Sequence, residues 1–158
     1  MPFDTLLIPT DGSDPAEAAA RRGFDLAAQL DADVHLLSVA DSSVATGTGY
    51  SGDSASIRTR LRDRADARAT SLREHAEARG LDATAAVSEG IPAAEIVDYA
   101  DEQGIDAIAM GTSGRGGVAR AVVGSVADEV IRTASVPVLT VRADASNSSD
   151  ARDGGETE

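Results

Sequence analysis

The chain has 158 residues, a formal net charge of −13 and no cysteine. This length is typical of one domain, and the lack of cysteine excludes disulfides and thiolate metal sites. All 14 basic residues are arginine, against 27 acidic residues. Nucleic acid and anionic membrane lipids are therefore not expected partners, because both require clustered positive charge.

The excess of acidic residues has two explanations. One is a genomic base composition that favours Ala, Arg, Gly and Asp codons. The other, which we favour, is halophilic adaptation, because at ~1 M salt the Debye length is about 3 Å and repulsion between surface carboxylates is screened. No apolar run approaches the ~20 residues that cross a bilayer, and the amino terminus lacks a basic start. We expect a soluble, cytoplasmic protein.

The first 40 residues predict a strand, a helix and a second strand. Residues 3–10 predict the first strand, whose pairing Pro9 is expected to end, and residues 11–13 predict a turn. Asp14 is the predicted cap of a helix, followed by a proline and an acid in its first turn. Apolar residues at helical spacing mark its buried face: Ala16, Ala20, Phe24, Ala27 and Leu30. The second strand is predicted over residues 33–39.

The middle of the chain contains a polar segment followed by a long helix. Residues 41–56 are small and polar without periodicity, which predicts a mobile loop; a lid over a ligand is the alternative to plain disorder. Residues 57–79 predict an amphipathic helix whose charged outer side is typical of a solvated face. Its apolar stripe consists of Ile57, Leu61, Ala65, Ala69, Leu72 and Ala76.

The second half continues the alternation of strands and helices. The predicted elements are a strand over 81–88, a turn at 90–92, a helix over 93–103, a strand over 105–110, a helix over 125–133 and a strand over 137–141. Five strands alternating with four helices predict an α/β doubly wound parallel sheet. Residues 143–158 carry almost no apolar residue larger than alanine and predict a flexible acidic tail beyond a domain of residues 1–142.

A glycine-rich stretch, residues 110–126, joins the fourth strand to the last helix. Glycine permits positive φ and close approach of an anion to backbone N–H groups, and a helix start adds unpaired donors. This arrangement predicts a phosphate cradle. The alternative is that the glycines only turn the chain and a helix runs unbroken from Val118 to Thr133. That helix would place Gly124 in its interior, at a cost of about 1 kcal/mol relative to alanine, and would deprive Ser125 of a capping role.

The spacing of Gly111, Gly114 and Gly124-Ser125 resembles that of the nucleotide-binding subgroup of the universal stress protein family. Three further segments resemble family motifs in the same order, namely residues 8–13, 90–92 and 136–142. The resemblance spans about residues 3–142. It implies a five-stranded parallel sheet of order 3-2-1-4-5 with helices on both faces, as in the adenine nucleotide alpha hydrolase-like fold.

The resemblance also implies an adenine-nucleotide site between the first and fourth strands, where the strand order reverses. Backbone N–H groups of four residues would hold the phosphates, with a further donor from the serine hydroxyl: Gly114, Gly124, Ser125 and Val126. The remaining implied site residues are Gly111 and Met110 near the ribose, Asp11 on the ribose or on Mg²⁺, and Pro9, Thr10 and Val39 at the adenine. Simpler roles remain open, because Ser125 and Asp11 are also good caps and Pro9, Val39 and Met110 suit a core.

The implied ligand is ATP, or AMP or ADP, and the implied function is regulatory, in stress physiology and with an unknown protein partner. The glycine stretch lacks the Gly-Lys-Ser/Thr ending of a P-loop, and Arg115 and Arg120 are the only nearby cations in the sequence, so strong hydrolysis is not expected. His35 and His75 lack partners for a catalytic triad or a metal site. The alternatives are a slow ATP hydrolase and a dimeric interaction module without nucleotide. The family resemblance further implies a homodimer through the fifth strand.

Overall fold

The computed structural model of the protein describes residues 3–47, 54–112 and 123–142. The strands form one sheet of order β3-β2-β1-β4-β5 in which every neighbouring pair is parallel. The elements are β1 (Thr5–Thr10), α1 (Asp14–Leu30), β2 (Asp33–Asp41), α2 (Ser42–Gly47), α3 (Ser54–Ala78), β3 (Ala83–Gly90), α4 (Pro92–Glu102), β4 (Ala107–Gly111), α5 (Ser125–Thr133) and β5 (Val138–Val141). The predicted fold class and strand order are confirmed.

Apolar side chains pack on both faces of the sheet. One core lies beneath α1 and α3 and includes Leu6, Ile8, Val34, Leu36, Phe24 and Leu72. The other lies beneath α4 and α5 and includes Leu7, Leu37, Ile96, Ile108, Met110 and Val130. Alternate residues of a strand point to opposite faces, so the continuous apolar runs of the central strands fill both cores.

Helix α1 differs from its prediction at both ends. Its cap is Ser13, whose hydroxyl accepts a hydrogen bond from the Ala16 N–H at 3.2 Å, and the predicted cap, Asp14, is the first helical residue. Leu30, predicted as buried, is 41% exposed. Three residues of an α-helix make less than one full turn, so the side chain of Leu30 lies to one side of that of Ala27, away from the core.

The predicted loop at residues 41–56 is wrong where the structure describes it. Residues Ser42–Gly47 form a short helix, and α3 already begins at Ser54. The Asp41 carboxylate starts α2 by accepting hydrogen bonds from the Ser43 N–H at 2.9 Å and the Ser43 hydroxyl at 2.6 Å. Residues 48–53 and 143–158 lie outside the described residues, so the predicted lid, tail and domain limits stay predictions.

Within α3, the buried stripe is confirmed at Ala65, Ala69, Leu72 and Ala76, whereas Ile57 and Leu61 are only partly buried. His35 on β2 is partly buried, with its Nδ1 2.8 Å from the Tyr99 hydroxyl. Desolvation lowers the pKa of His35, although the nearby Asp33 acts in the opposite direction. Burial of His35 therefore favours the neutral form of its imidazole. No helix among the described residues is both long and apolar enough to cross a membrane.

Asp106 joins the start of β1 to the turn that precedes β4. Its Oδ2 accepts hydrogen bonds from the Asp4 N–H at 2.8 Å and the Thr5 N–H at 3.0 Å. These bonds lower the pKa of Asp106, the Thr5 N–H contributing most. Because the carboxylate is favoured in the folded state, its stabilising effect is present above the unfolded pKa and is lost as the pH falls through the folded pKa.

We therefore expect Asp106→Asn to lower the thermal midpoint at pH 7 and to have a smaller effect at about pH 3. Differential scanning calorimetry of both proteins at the two pH values measures this. Asp98→Asn, an exposed position on α4, is the control and should match the parent at both. If the difference in thermal midpoint between Asp106→Asn and the parent did not narrow at low pH, the stabilising role of the Asp106 carboxylate would be contradicted.

Candidate functional site

β1 and β4 lie side by side where the strand order reverses, which is where a doubly wound sheet has its ligand crevice. Leu7 pairs with Ile108, so Thr10 and Gly111, each three residues further on, end their strands at the same edge of the sheet. The chain leaves β1 for α1, on one face, and leaves β4 for α5, on the other face. Connections that diverge in this way leave a cleft at the carboxyl ends of the strands, and the predicted switch point lies there.

On the β1 side, residues 11–13 form a turn held by its own side chains. Gly12 has φ +77°, a conformation that favours glycine. Its N–H donates to the Thr10 hydroxyl at 3.0 Å, and the Ser13 N–H donates to Asp11 Oδ1 at 2.9 Å. Asp11 therefore has the turn-capping role that the sequence left open. Its role toward ribose or a cation stays a prediction.

On the β4 side, two backbone hydrogen bonds fix the ends of the glycine-rich stretch. The Thr112 N–H donates to the Val141 carbonyl at 3.1 Å, and the Gly124 N–H donates to the Thr112 carbonyl at 2.5 Å. Gly124 is the N-cap of α5, with φ −61° and ψ 160°. The alternative of an unbroken helix through Gly124 is therefore wrong, and so is a capping role for Ser125, which is the first helical residue.

The backbone donors at the start of α5 differ in how they are used. Gly124 already donates to Thr112, so it can serve a phosphate only if that bond opens. Asp128 is the first donor of the helical ladder, bonding to the Gly124 carbonyl at 2.9 Å. The amides of Ser125, Val126 and Ala127 form no hydrogen bond with the residues that the structure describes. They lie at the positive end of the α5 dipole, beside the end of β4.

The other predicted site residues lie at this edge or outside the described residues. Thr10 is 7% exposed and Met110 is 6% exposed. Pro9 is buried and Val39 partly buried, and Gly111 is the last residue of β4. Met110 belongs to the core beneath α4 and α5, with Val39 packed against it, which is the simpler role that the sequence left open. Gly114, Arg115 and Arg120 lie outside the described residues.

The structure adds one cation that sequence reasoning missed. Arg68, on α3, lies against Gly12: a methyl group placed on Gly12 would be 2.8 Å from Arg68 Cδ and 3.1 Å from Arg68 Cζ. The sequence offered Arg115 and Arg120 as nearby cations, and the fold brings Arg68 to the turn after β1 as well. The available signal was position, because Arg68 is three residues after Ala65 and four before Leu72, and so interrupts an apolar stripe.

A second depression, with a volume of about 470 Å³, lies at the amino ends of β2 and β3. Its lining includes the acidic residues Asp33, Glu77 and Asp82. Carboxylates at this density repel a phosphate, so this depression does not suit a nucleotide. No group of three or more His, Cys, Asp or Glu suited to a metal ion occurs among residues 3–47, 54–112 and 123–142.

The sequence profile of the universal stress protein family matches residues 2–142. The chain belongs to the universal stress protein family. Universal stress protein MJ0531 of Methanocaldococcus jannaschii is 36% identical over 140 residues, which cover 89% of this chain and 82% of that protein. Universal stress protein YxiE of Bacillus subtilis is 29% identical over 149 residues, covering 89% of this chain and 99% of that protein.

Solved structures of other family members share the fold of this universal stress protein. The structure of MJ0577, also from Methanocaldococcus jannaschii, superposes with a TM-score of 0.81 at 27% identity and covers 91% of this chain and 99% of that one. Two more distant structures are a universal stress protein in complex with cAMP, with a TM-score of 0.60, and one from Archaeoglobus fulgidus in complex with dAMP, with a TM-score of 0.55.

Proposed function

We propose that this universal stress protein binds an adenine nucleotide in the crevice between β1 and β4 and acts as a regulatory protein. One observation carries the proposal: α5 begins directly beside the end of β4, and the amides of Ser125 and Val126 have no partner among the described residues. An anion is the natural ligand of such amides, because they carry the positive end of the helix dipole. The turn at Asp11 follows β1, which is the neighbour of β4 in the sheet.

In this proposal the parts of the nucleotide are arranged along the same edge of the sheet. Phosphates meet the α5 amides, the ribose lies near Gly111 and Asp11, and the base lies against Pro9, Thr10 and Val39. The solved cAMP and dAMP complexes support this proposal, because they show that the fold accommodates adenine nucleotides in other members of the family. ATP, ADP or AMP, with Mg²⁺ on a polyphosphate, is the ligand that we propose.

The proposed regulatory role rests on coupling between the ligand and the hydrogen bond that Gly124 donates to Thr112. A phosphate that drew the Gly124 amide away would break that bond and favour the state in which the end of β4 and the start of α5 are apart. A partner protein that distinguishes the two states would then respond to nucleotide occupancy rather than to nucleotide hydrolysis.

Release and rebinding of the ligand test the proposal. The purified protein is denatured, and the released small molecules are separated by anion-exchange chromatography. The emptied and refolded protein is then titrated calorimetrically with AMP, ADP and ATP, with and without Mg²⁺. We expect an adenine nucleotide in the released fraction, or saturable binding of at least one of the three. No released nucleotide, together with no heat of binding at millimolar ligand, would leave the interaction module as the function.

We further propose a homodimer formed through β5. β5 is an edge strand of the described sheet, and its residue Leu139 is 48% exposed. Ile131, on the helix that precedes β5, is 47% exposed. An edge strand with exposed apolar side chains can pair with a second copy, and antiparallel pairing about a two-fold axis closes the assembly.

We expect Leu139→Arg to convert the dimer to a monomer, because pairing through β5 would then bury a charged side chain in place of an apolar one. Sedimentation velocity at molar salt measures the mass of the parent and of the variant. Leu30→Arg is the control, since Leu30 is also apolar and 41% exposed but lies at the end of α1. A monomeric parent, or a Leu139→Arg variant that remained dimeric, would contradict the proposal.

A further inference from the structure

Arg68 occupies the space that the missing side chain of Gly12 leaves open. It is partly buried on α3, between the buried residues Ala65 and Leu72. Its Cζ lies 3.1 Å from the position where a Cβ on Gly12 would be. The guanidinium is therefore held against the turn that ends β1, at the same edge of the sheet as the proposed nucleotide.

Among the described residues Arg68 has no carboxylate partner, whereas several other arginines have one. Arg58 lies 2.6 Å from Glu89, Arg79 lies 2.8 Å from Asp25, and Arg132 lies 3.1 Å from Asp128. Arg68 forms no ion pair and no hydrogen bond with any residue that the structure describes. Partial burial of a charged group that has no partner costs free energy. The missing ion pair is not due to a shortage of carboxylates, because the chain has a net charge of −13.

The strand residues on the same face are polar at this edge. Thr10 and Ser38 are paired across β1 and β2. They follow Ile8 and Leu36, which belong to the core beneath α1 and α3, at the two-residue spacing that keeps side chains on one face. Ser38 is fully buried, and its hydroxyl has no hydrogen-bond partner among the described residues. The apolar core therefore gives way to polar groups where Arg68 lies.

We propose that Arg68 is a ligand-binding residue whose guanidinium contacts a phosphate of the bound nucleotide, opposite the amides of α5. The inference rests on the proposed function and deepens it. A planar guanidinium matches two phosphate oxygens at once. Arg68 thus supplies the fixed charge that a lysine supplies in other phosphate sites.

The test compares ligands that differ only in phosphate. Adenosine, AMP and ATP are titrated calorimetrically into the parent, Arg68→Gln and the control Arg64→Gln, which removes the same charge from an exposed position one turn earlier on α3. We expect Arg68→Gln to lower the affinity for AMP and for ATP by roughly ten- to a hundredfold, the usual effect of losing a charged hydrogen bond. Its affinity for adenosine should stay within about twofold of the parent, as should all affinities of Arg64→Gln.

The outcomes separate this inference from the proposed function. If the parent binds neither AMP nor ATP, the proposed function fails and the role of Arg68 fails with it. If the parent binds them and Arg68→Gln binds them equally well, only the role of Arg68 is overturned. An equal loss for adenosine also overturns it, because the side chain would then act on the nucleoside or on the fold. If Arg68→Gln does not fold, the same titrations are carried out on Arg68→Met, which keeps the apolar stem of the side chain, and the same criteria apply.

Discussion

Replacing Ser125 with proline is expected to weaken nucleotide binding by roughly ten- to a hundredfold while leaving the fold intact. Proline has no N–H, so the substitution deletes one of the amides that are proposed to hold the phosphates, a donor to a charged acceptor. Ser125 is the first residue of α5, where proline is tolerated because its N–H takes no part in the helical ladder.

The local backbone is suited to this substitution. Gly124 has φ −61° and ψ 160°, within the extended region that a residue before proline prefers. The chain itself provides a precedent in α4, which begins at Pro92 after Ile91 with φ −85° and ψ 120°. We therefore expect little change in the thermal midpoint.

Ser125→Ala is the matched control, because it removes the hydroxyl and keeps the amide. Calorimetric titration of both variants with the nucleotide that the parent binds best separates the two contributions. We expect alanine to cost clearly less affinity than proline. Equal affinities of the proline and alanine variants would show that the Ser125 amide does not contact the ligand, and the cradle would lose its main support.

The topology of the sheet could be predicted because it depends on local patterns. Short apolar runs alternating with amphipathic segments leave few arrangements other than a parallel sheet covered on both faces. The family resemblance then fixed the strand order. The short helix α2 could not be predicted in this way, because its six residues show no periodicity and a single aspartate starts it.

The candidate site was only partly predictable, because its contacts join distant segments. The sequence motifs indicated the two loops that meet, Asp11–Ser13 and the stretch from Gly111 to Val126. They did not indicate that the Gly124 amide bonds to Thr112, since this depends on how the start of α5 is placed against the end of β4. Nor did they indicate that Arg68 reaches Gly12, which is 56 residues earlier. That contact depends on how α3 is oriented about its own axis and on where α3 lies on the sheet.

Removing the Phe24 ring is expected to have the largest effect on stability. Phe24 is 1% exposed and packs with Leu6 and Ile8 in the core beneath α1 and α3, and Arg79 Cζ lies 5.6 Å from the centre of its ring. Truncation of a buried phenylalanine to alanine costs about 3–5 kcal/mol, because transfer energy is lost and a cavity remains. That is a large part of the roughly 5–15 kcal/mol that stabilises a typical domain.

Phe3 provides the matched control, since the chain has 2 phenylalanines and Phe3 is 37% exposed. Chemical unfolding followed by circular dichroism should show a loss of about 3–5 kcal/mol for Phe24→Ala and well under 1 kcal/mol for Phe3→Ala, as is usual for exposed positions. Because Phe24 lies on the core side of α1 and away from the crevice, folded Phe24→Ala should keep the parent's affinity for nucleotide. A loss similar to that of Phe3→Ala would mean that α1 does not close this core, and the turn at Asp11, which α1 continues, would not be held as the structure shows.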